Sequence, residues 1–274
     1  MNTQTHCFDF GRLAAVLTLV LVLQCRAICQ PVGPTPTPVA RDPQAAILLA
    51  QAVAALTGGN PANDATLNGQ ATLTAGSDVE SGSTAIEVKG HLESKLTLNL
   101  SGGQRQEIWR DSQGSWTGPD GQSHAQAFHN SLVIGNWFCP AVALQSLTAD
   151  ASFGLAYVGA ESREGVAVQH IQASRVLPSG SSAGDPFIQQ LSDVDVYLDA
   201  TAFLPVGLEF NTHPDFDALR NLPVRVELGS YQSVNGINTP FHIQKFLQNS
   251  LALDISLGSA TFNSGLPDSD FAIP

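Results

Sequence analysis

The sequence predicts an α+β fold class in which one large, curved antiparallel sheet is covered by one or two helices. Three observations predict this fold. Apolar and polar residues alternate with a period of two, turn signals recur at short intervals, and two apolar segments carry helix start signals. The chain has 274 residues, of which 43% are hydrophobic, and this is enough to bury a substantial core. We therefore expect residues 43–274 to form a single domain.

The first helix is predicted immediately after a proline-rich segment. Asp42 can cap its N-terminus, Pro43 suits its first turn, and Gly58 and Gly59 can end it. The residues between these signals include no charged side chain. Because a helix this apolar has to be covered, we expect it to pack on the sheet.

A second helix is predicted to interrupt the strands. Pro140 can begin it, Leu144 and Leu147 would face inward, and Asp150 lies just beyond its end. A short helical turn is also predicted over residues 186–191.

The strands are predicted from alternation and from turn residues such as Gly102 with Gly103 and Asn235 with Gly236. Such two-residue turns join antiparallel hairpins, so consecutive hairpins predict a meander. The sets sharing one face are Leu92, Leu96, Leu98 and Leu100; Val194, Val196 and Leu198; Leu208 and Phe210; Val224, Val226 and Leu228; Phe241 and Ile243; and Leu251, Leu253, Ile255 and Leu257. This alternation fits both a packed core and an apolar hollow for acyl chains.

Residues 1–29 are predicted to be a secretory signal. The apolar run at residues 13–23 follows Arg12 and is too short to span a bilayer, which is typical of a signal core. A buried N-terminal helix and lipidation at Cys25 remain alternatives. Residues 30–42 contain four prolines interleaved with small residues, apart from Arg41 and Asp42, and are predicted to be an extended spacer. The signal predicts export of the chain, which for a bacterial protein means passage across the inner membrane to the periplasm or the outer membrane.

Composition excludes several classes of protein. A formal charge of −12 disfavours binding to nucleic acid, and the apolar content is too high for a disordered chain. No segment beyond the signal is long enough for a membrane span. Removal of residues 1–29 would leave Cys139 as the remaining cysteine, and its aromatic neighbours indicate a buried thiol.

The sequence indicates no catalytic machinery, metal site or cofactor. Ser182 lies in a Gly-x-Ser-x-Gly match, but the antiparallel surroundings do not provide the strand–turn–helix that a serine hydrolase needs. His213 precedes a Pro-Asp pair that is more typical of a turn than of a metal loop. Carboxylates on alternating strands are expected to lie on the solvated face; they are Asp195, Asp199, Glu209 and Glu227.

The C-terminal half resembles the outer-membrane lipoprotein-sorting family, whose LolA-like fold also includes the regulator RseB. The matching segments are residues 157–159 followed by 165–171; 196–199 followed by Thr201 and 204–205; 231–236 followed by 240–241; and 262–263 through 266–268 to Phe271. Residues 43–140 agree with the family in layout. The resemblance implies a half-open barrel with a helical lid that holds lipid or acyl chains in the periplasm.

We therefore expect a non-catalytic protein that binds a lipid or lipoprotein acyl chain, with a lipoprotein or an envelope protein as partner. The predicted lining residues are Leu96, Leu98, Trp109, Trp116, Val196, Leu198, Leu208, Phe210, Val226, Phe241 and Ile243. One alternative is an interaction or sensor module of the RseB type with a filled core. The other alternative is an exported hydrolase that uses Ser182.

Overall fold

The computed structural model describes residues 40–133, 135–176 and 185–274. The predicted signal, residues 30–39 of the predicted spacer and the loop with Ser182 lie outside these ranges. The helices are α1 (Pro43–Thr57), α2 (Pro140–Ala149) and α3 (Asp185–Ser192), with 3-10 turns at Phe128–Asn130 and Asp268–Phe271. The strands are β1 (Asp64–Ala75), β2 (Asp78–Lys89), β3 (Glu93–Leu100), β4 (Gly103–Arg110), β5 (Gln113–Thr117), β6 (Ser123–Ala125), β7 (Phe153–Arg163), β8 (Val166–Arg175), β9 (Val194–Asp199), β10 (Pro205–Thr212), β11 (Leu222–Val234), β12 (Ile237–Leu247) and β13 (Ser250–Phe262).

The thirteen described strands form one antiparallel sheet, which confirms the predicted fold class. Across the sheet the strands run from β6 back to β1 and then from β13 back to β7. The sheet is therefore two meanders, β1–β6 and β7–β13, which join where Ala65 lies opposite Phe262 and Leu73 lies opposite Leu253. Strands β6 and β7 are its edges, and residues 126–152 connect one edge to the other.

Helix α1 has the predicted boundaries, because local signals specify both ends. The Asp42 carboxylate accepts hydrogen bonds from the backbone N–H groups of Gln44 and Ala45, at 2.8 and 3.0 Å. Gly58 follows the helix with a φ of 57°, a left-handed conformation that suits glycine. One face of the helix, with Leu48, Leu49 and Leu56, packs against β7, β8, β12 and α2 as expected, whereas Ile47 is 61% exposed.

Helix α2 begins at Pro140 as predicted, and Arg41 holds its C-terminal end. The Arg41 guanidinium donates to the carbonyl oxygens of Leu147 and Thr148 at 3.0 and 2.9 Å, and it also reaches the carbonyl oxygen of Phe153 at 3.0 Å. These bonds satisfy carbonyl groups that have no partner within the helix. Residues 40–42, assigned by the sequence to the spacer, therefore pack against the domain beside β7.

The sheet has an apolar inner face, onto which α1 and α2 pack, and a polar outer face. Several inward residues predicted from the alternation are at most 4% exposed; they are Val196, Leu198, Leu208, Val226 and Ile243. A bulge between Lys245 and Phe246 shifts the pairing, so Leu251 lies opposite Phe246 and departs from the predicted inward set. Among the helices that the structure describes, none is long and apolar enough to cross a membrane.

Candidate functional site

The inner face contains a cavity of about 260 Å³ that borders the hydrophobic core. Strands β4 and β10 both line it, although they are separated by seven steps across the sheet. At ~4.8 Å per step these two strands would lie roughly 34 Å apart in a flat sheet. Both can line one cavity because the sheet curls around it.

The lining is mainly apolar. Strand residues supply most of it, and the connection between the sheet edges supplies the rest. The lining residues are Leu73, Leu96, Leu98, Glu107, Trp109, Gln126, Asn130, Val133, Trp137, Phe210, Thr212, Val224, Lys245, Leu247, Ala252 and Leu253. We call residues 126–133 and 135–137 the roof, since four of the lining residues come from them.

Gly135 fastens the roof to strands β3 and β4. Its carbonyl oxygen accepts a hydrogen bond from the Ser94 hydroxyl at 2.9 Å. A Cβ added at Gly135 would lie 2.8 Å from the Cβ of Trp109, so a residue without a side chain lets the roof approach this wall. The indole of Trp109 is thereby held between strand β4 and the roof.

Asn130 fastens the other end of the roof to the end of strand β10. Its Oδ1 atom accepts from the backbone N–H of His213 at 2.8 Å and from the Thr212 hydroxyl at 3.1 Å. Its Nδ2 group donates to the carbonyl oxygen of His213 at 2.7 Å. Burial lowers the pKa of His213, so the imidazole is neutral near pH 7. The roof thus bridges the N-terminal and C-terminal meanders.

Two charged side chains line the cavity. Lys245 lies on β12 between Val226 of β11 and Leu253 of β13, and its ammonium group is 5.2 Å from the centre of a Trp137 ring. Glu107 lies on β4. Lys89 and Lys95 form ion pairs with Asp268 and Glu87, whereas no carboxylate of the described residues comes within 4.0 Å of the Lys245 ammonium.

The predicted lining residues fall into three groups. Leu96, Leu98, Trp109 and Phe210 line the cavity. The second group is packed in the core outside the lining, and it comprises Val196, Leu198, Leu208, Val226, Phe241 and Ile243. Trp116 is 43% exposed and stacks on His124 with ring centres 4.2 Å apart.

The predicted lining includes neither a roof residue nor Lys245, although the large side chain of Trp137 made it a candidate pocket residue. The roof has no hydrophobic periodicity that would have placed Val133 or Trp137 over a strand face. A signal for Lys245 does exist, because it is in phase with Phe241 and Ile243 on the same strand. An inward lysine among apolar residues is the pattern that could have identified it.

None of the other chemical candidates that the structure describes lines the cavity. On the outer face, Glu209 and Glu227 pair with Arg163 and Arg225. Asp195 bonds to His170 at 2.9 Å, and Asp199 accepts N–H groups of its own turn. Burial raises the pKa of the Cys139 thiol to about 12, which keeps it protonated and unreactive. Among the described residues, no cluster of three His, Cys, Asp or Glu could hold a metal.

Comparisons with known proteins find similarity in structure. No family model and no curated protein matches the sequence. An outer membrane lipoprotein-sorting protein domain from Vibrio parahaemolyticus is 12% identical with a TM-score of 0.51, and the match covers 83% of this chain and 96% of that chain. A LolA superfamily protein from Nitrosomonas europaea is 13% identical with a TM-score of 0.51, and the match covers 83% of this chain and 97% of that chain. A DUF1329 family protein from Desulfovibrio piger is 11% identical with a TM-score of 0.50, and the match covers 84% of this chain and 96% of that chain.

Proposed function

This chain has the LolA-like fold, and from that premise we propose that it is an exported, non-catalytic protein that binds an acyl chain of a lipid or a lipoprotein. The observation that carries the proposal is the apolar cavity on the inner face. The cavity lies slightly below the ~300–1,000 Å³ typical of small-molecule sites. This size suits one chain rather than several.

Burial of apolar surface supplies the binding free energy in this proposal. At ~30 Å³ per water molecule, the cavity holds about nine water-sized groups. If each were a methylene contributing ~0.8 kcal/mol, burial would contribute about 7 kcal/mol to binding. The cost of ordering the acyl chain is subtracted from this value. Without that cost, ~7 kcal/mol corresponds to a dissociation constant of about 10 μM, so binding at this level or weaker is expected without any chemical step.

The first test is mass spectrometry of organic extracts from protein purified without detergent. A lipid present in stoichiometric amount supports the proposal and identifies its class. The same protein is then titrated with dodecanol while tryptophan emission is recorded. Trp109 and Trp137 line the cavity and report on occupancy, whereas the exposed Trp116 does not.

A cavity-filling variant makes this titration specific. Ala252→Phe places a ring in the cavity lining and should weaken dodecanol binding at least about tenfold. Ala156→Phe is the matched control, because Ala156 is exposed on the edge strand β7. Equal affinity of both variants, with both folded, would contradict binding in this cavity.

A second candidate function is contact with a partner protein, and the surface beside the roof favours it. Phe128, Phe216 and Leu219 are 59%, 89% and 78% exposed. A hydrogen bond of 3.1 Å between His129 and the Pro214 carbonyl oxygen brings their two loops together. Exposed large apolar side chains of this kind are typical of interaction sites. The double variant Phe216→Ser with Leu219→Ser should then lose capture of an envelope protein while retaining dodecanol binding.

A further inference from the structure

The inner face of strand β12 carries a lysine where its pattern calls for an apolar residue. Lys245 follows Phe241 and Ile243 in the inward phase, and both cross-strand neighbours, Val226 and Leu253, are at most 4% exposed. Placing an ammonium group beside such residues removes part of its hydration and costs free energy unless a partner compensates. The Lys245 ammonium group is therefore expected to have a compensating partner.

The described part of the protein supplies an incomplete answer. The face of a Trp137 ring lies 5.2 Å from the ammonium group, which is within cation–π range. Among the residues that the structure describes, no carboxylate lies within 4.0 Å of it, although the other two lysines of the chain each have one. Lys245 also lines the cavity, so its donors are available to a molecule bound there.

We propose that the cavity takes an amphiphile with one acyl chain and an anionic headgroup, and that Lys245 binds this headgroup; the proposal rests on the function proposed above. Glu107 is the acidic residue of the lining and would repel the anion from its own wall. The two charges would thereby orient the ligand, with the headgroup beside β12 and the chain along the leucines of β3.

The charge of the whole protein restricts how such a ligand arrives. A formal charge of −12 repels an anionic membrane surface or micelle. A single molecule whose chain is buried is not subject to the same repulsion from many headgroups. The ligand class is thus a monomeric anionic amphiphile, whether its headgroup is a carboxylate or a phosphate.

The experiment compares four probes with one chain length, each kept below its micelle concentration. The full chain is titrated with dodecanoate, dodecyl phosphate, dodecanol and dodecyltrimethylammonium by calorimetry. Both anions should bind about tenfold or more tightly than dodecanol, since a hydrogen bond to a charged group is worth about that factor. The cation should bind more weakly than dodecanol. The tighter of the two anions indicates the headgroup chemistry.

Variants assign the preference to Lys245. Lys245→Met should abolish the preference for anions, so that the ratio of anion to dodecanol affinity falls to about one, and Lys245→Arg should retain the preference. Lys89→Met is the control, because it removes the same charge from an exposed ion pair outside the cavity lining. Far-ultraviolet circular dichroism confirms that each variant is folded.

The outcomes separate this inference from the proposed function. Dodecanol binding without a preference for anions would overturn the headgroup assignment and leave the acyl-chain site intact. A preference that survives Lys245→Met, or that disappears in Lys89→Met, would also overturn it. Failure of all four probes to bind would overturn the acyl-chain function itself.

Discussion

Two regions of the same inner face differ in how their side chains are covered. Around Ile243, Val226 and Leu198 the face is closed, and these side chains have no exposed surface. Around Leu98 and Phe210 the same alternation borders a cavity beneath the roof. The difference teaches that strand pattern determines which residues face inward, while the segment that covers them determines whether they form core or site.

The largest expected effect separates the two regions by stability. Ile243→Ala should lower the free energy of unfolding by about 2–5 kcal/mol, because it creates a cavity in a closed core. Leu98→Ala should cost less than about 2 kcal/mol, since its side chain already borders open space. Urea unfolding of both variants checks the difference. Equal losses would mean that the cavity wall is packed as tightly as the core.

The next effect concerns the roof. Asn130→Ala removes three hydrogen bonds to Thr212 and His213 and should cost about 1–3 kcal/mol. Because the roof also lines the cavity, the ligand should dissociate faster from this variant. Stopped-flow tryptophan fluorescence measures the dissociation rate, with the exposed Asn99→Ala as the control. An unchanged dissociation rate would show that the roof does not retain the ligand.

A smaller loss of stability is expected from a change at the N-terminus of helix α1. Asp42→Ala removes the cap of α1 and should cost about 1 kcal/mol. The cap is outside the cavity lining, so the affinity for an acyl probe should stay within twofold of wild type. Thermal unfolding and the dodecanol titration together check this. A large loss of affinity would show that the two regions of the inner face are coupled.

The smallest effect is a pH dependence of stability that arises from His213, to which Asn130 of the roof is hydrogen-bonded. Burial lowers the pKa of His213, whose Nδ1 faces the Arg220 carbonyl oxygen at 3.2 Å and whose buried Nε2 has no hydrogen-bond partner among the described residues. Below about pH 6.5 the His213 imidazole therefore binds a proton in the unfolded chain but not in the folded protein. The free energy of unfolding then falls as the pH falls. His213→Gln should reduce this slope in urea titrations between pH 7 and pH 5. The slope that remains includes His91, whose pKa burial also lowers.

The helices could be predicted from the sequence because their signals are local. Asp42, Pro43 and Gly58 act within a few residues of the helix ends, and Pro140 does the same for α2. Hairpins follow equally short signals, such as Asn235 with Gly236. These elements could therefore be assigned without knowledge of what they pack against.

The cavity could be predicted only in part, because its boundary is not a local property. Leu98 and Leu208 have the same alternation and both belong to the hydrophobic core, yet the first borders the cavity and the second does not. Trp137 reaches the cavity through a segment that is neither helix nor strand. The pairing of β1 with β13 also could not be predicted, since each has the sequence pattern of an ordinary half-buried strand and nothing in it indicates the partner.

That junction has a consequence for the order of folding. Each meander can form from neighbouring hairpins, but Ala65 finds its partner strand only at Phe262, near the far end of the chain. Contacts between such distant residues are slow to form, and all-β domains dominated by them fold in milliseconds to seconds. Until β13 is available, β1 is an unprotected strand edge open to pairing with another chain. Strand β13, which follows the other twelve described strands along the chain, is therefore the one that completes the sheet and ends the period in which the chain is most prone to aggregate.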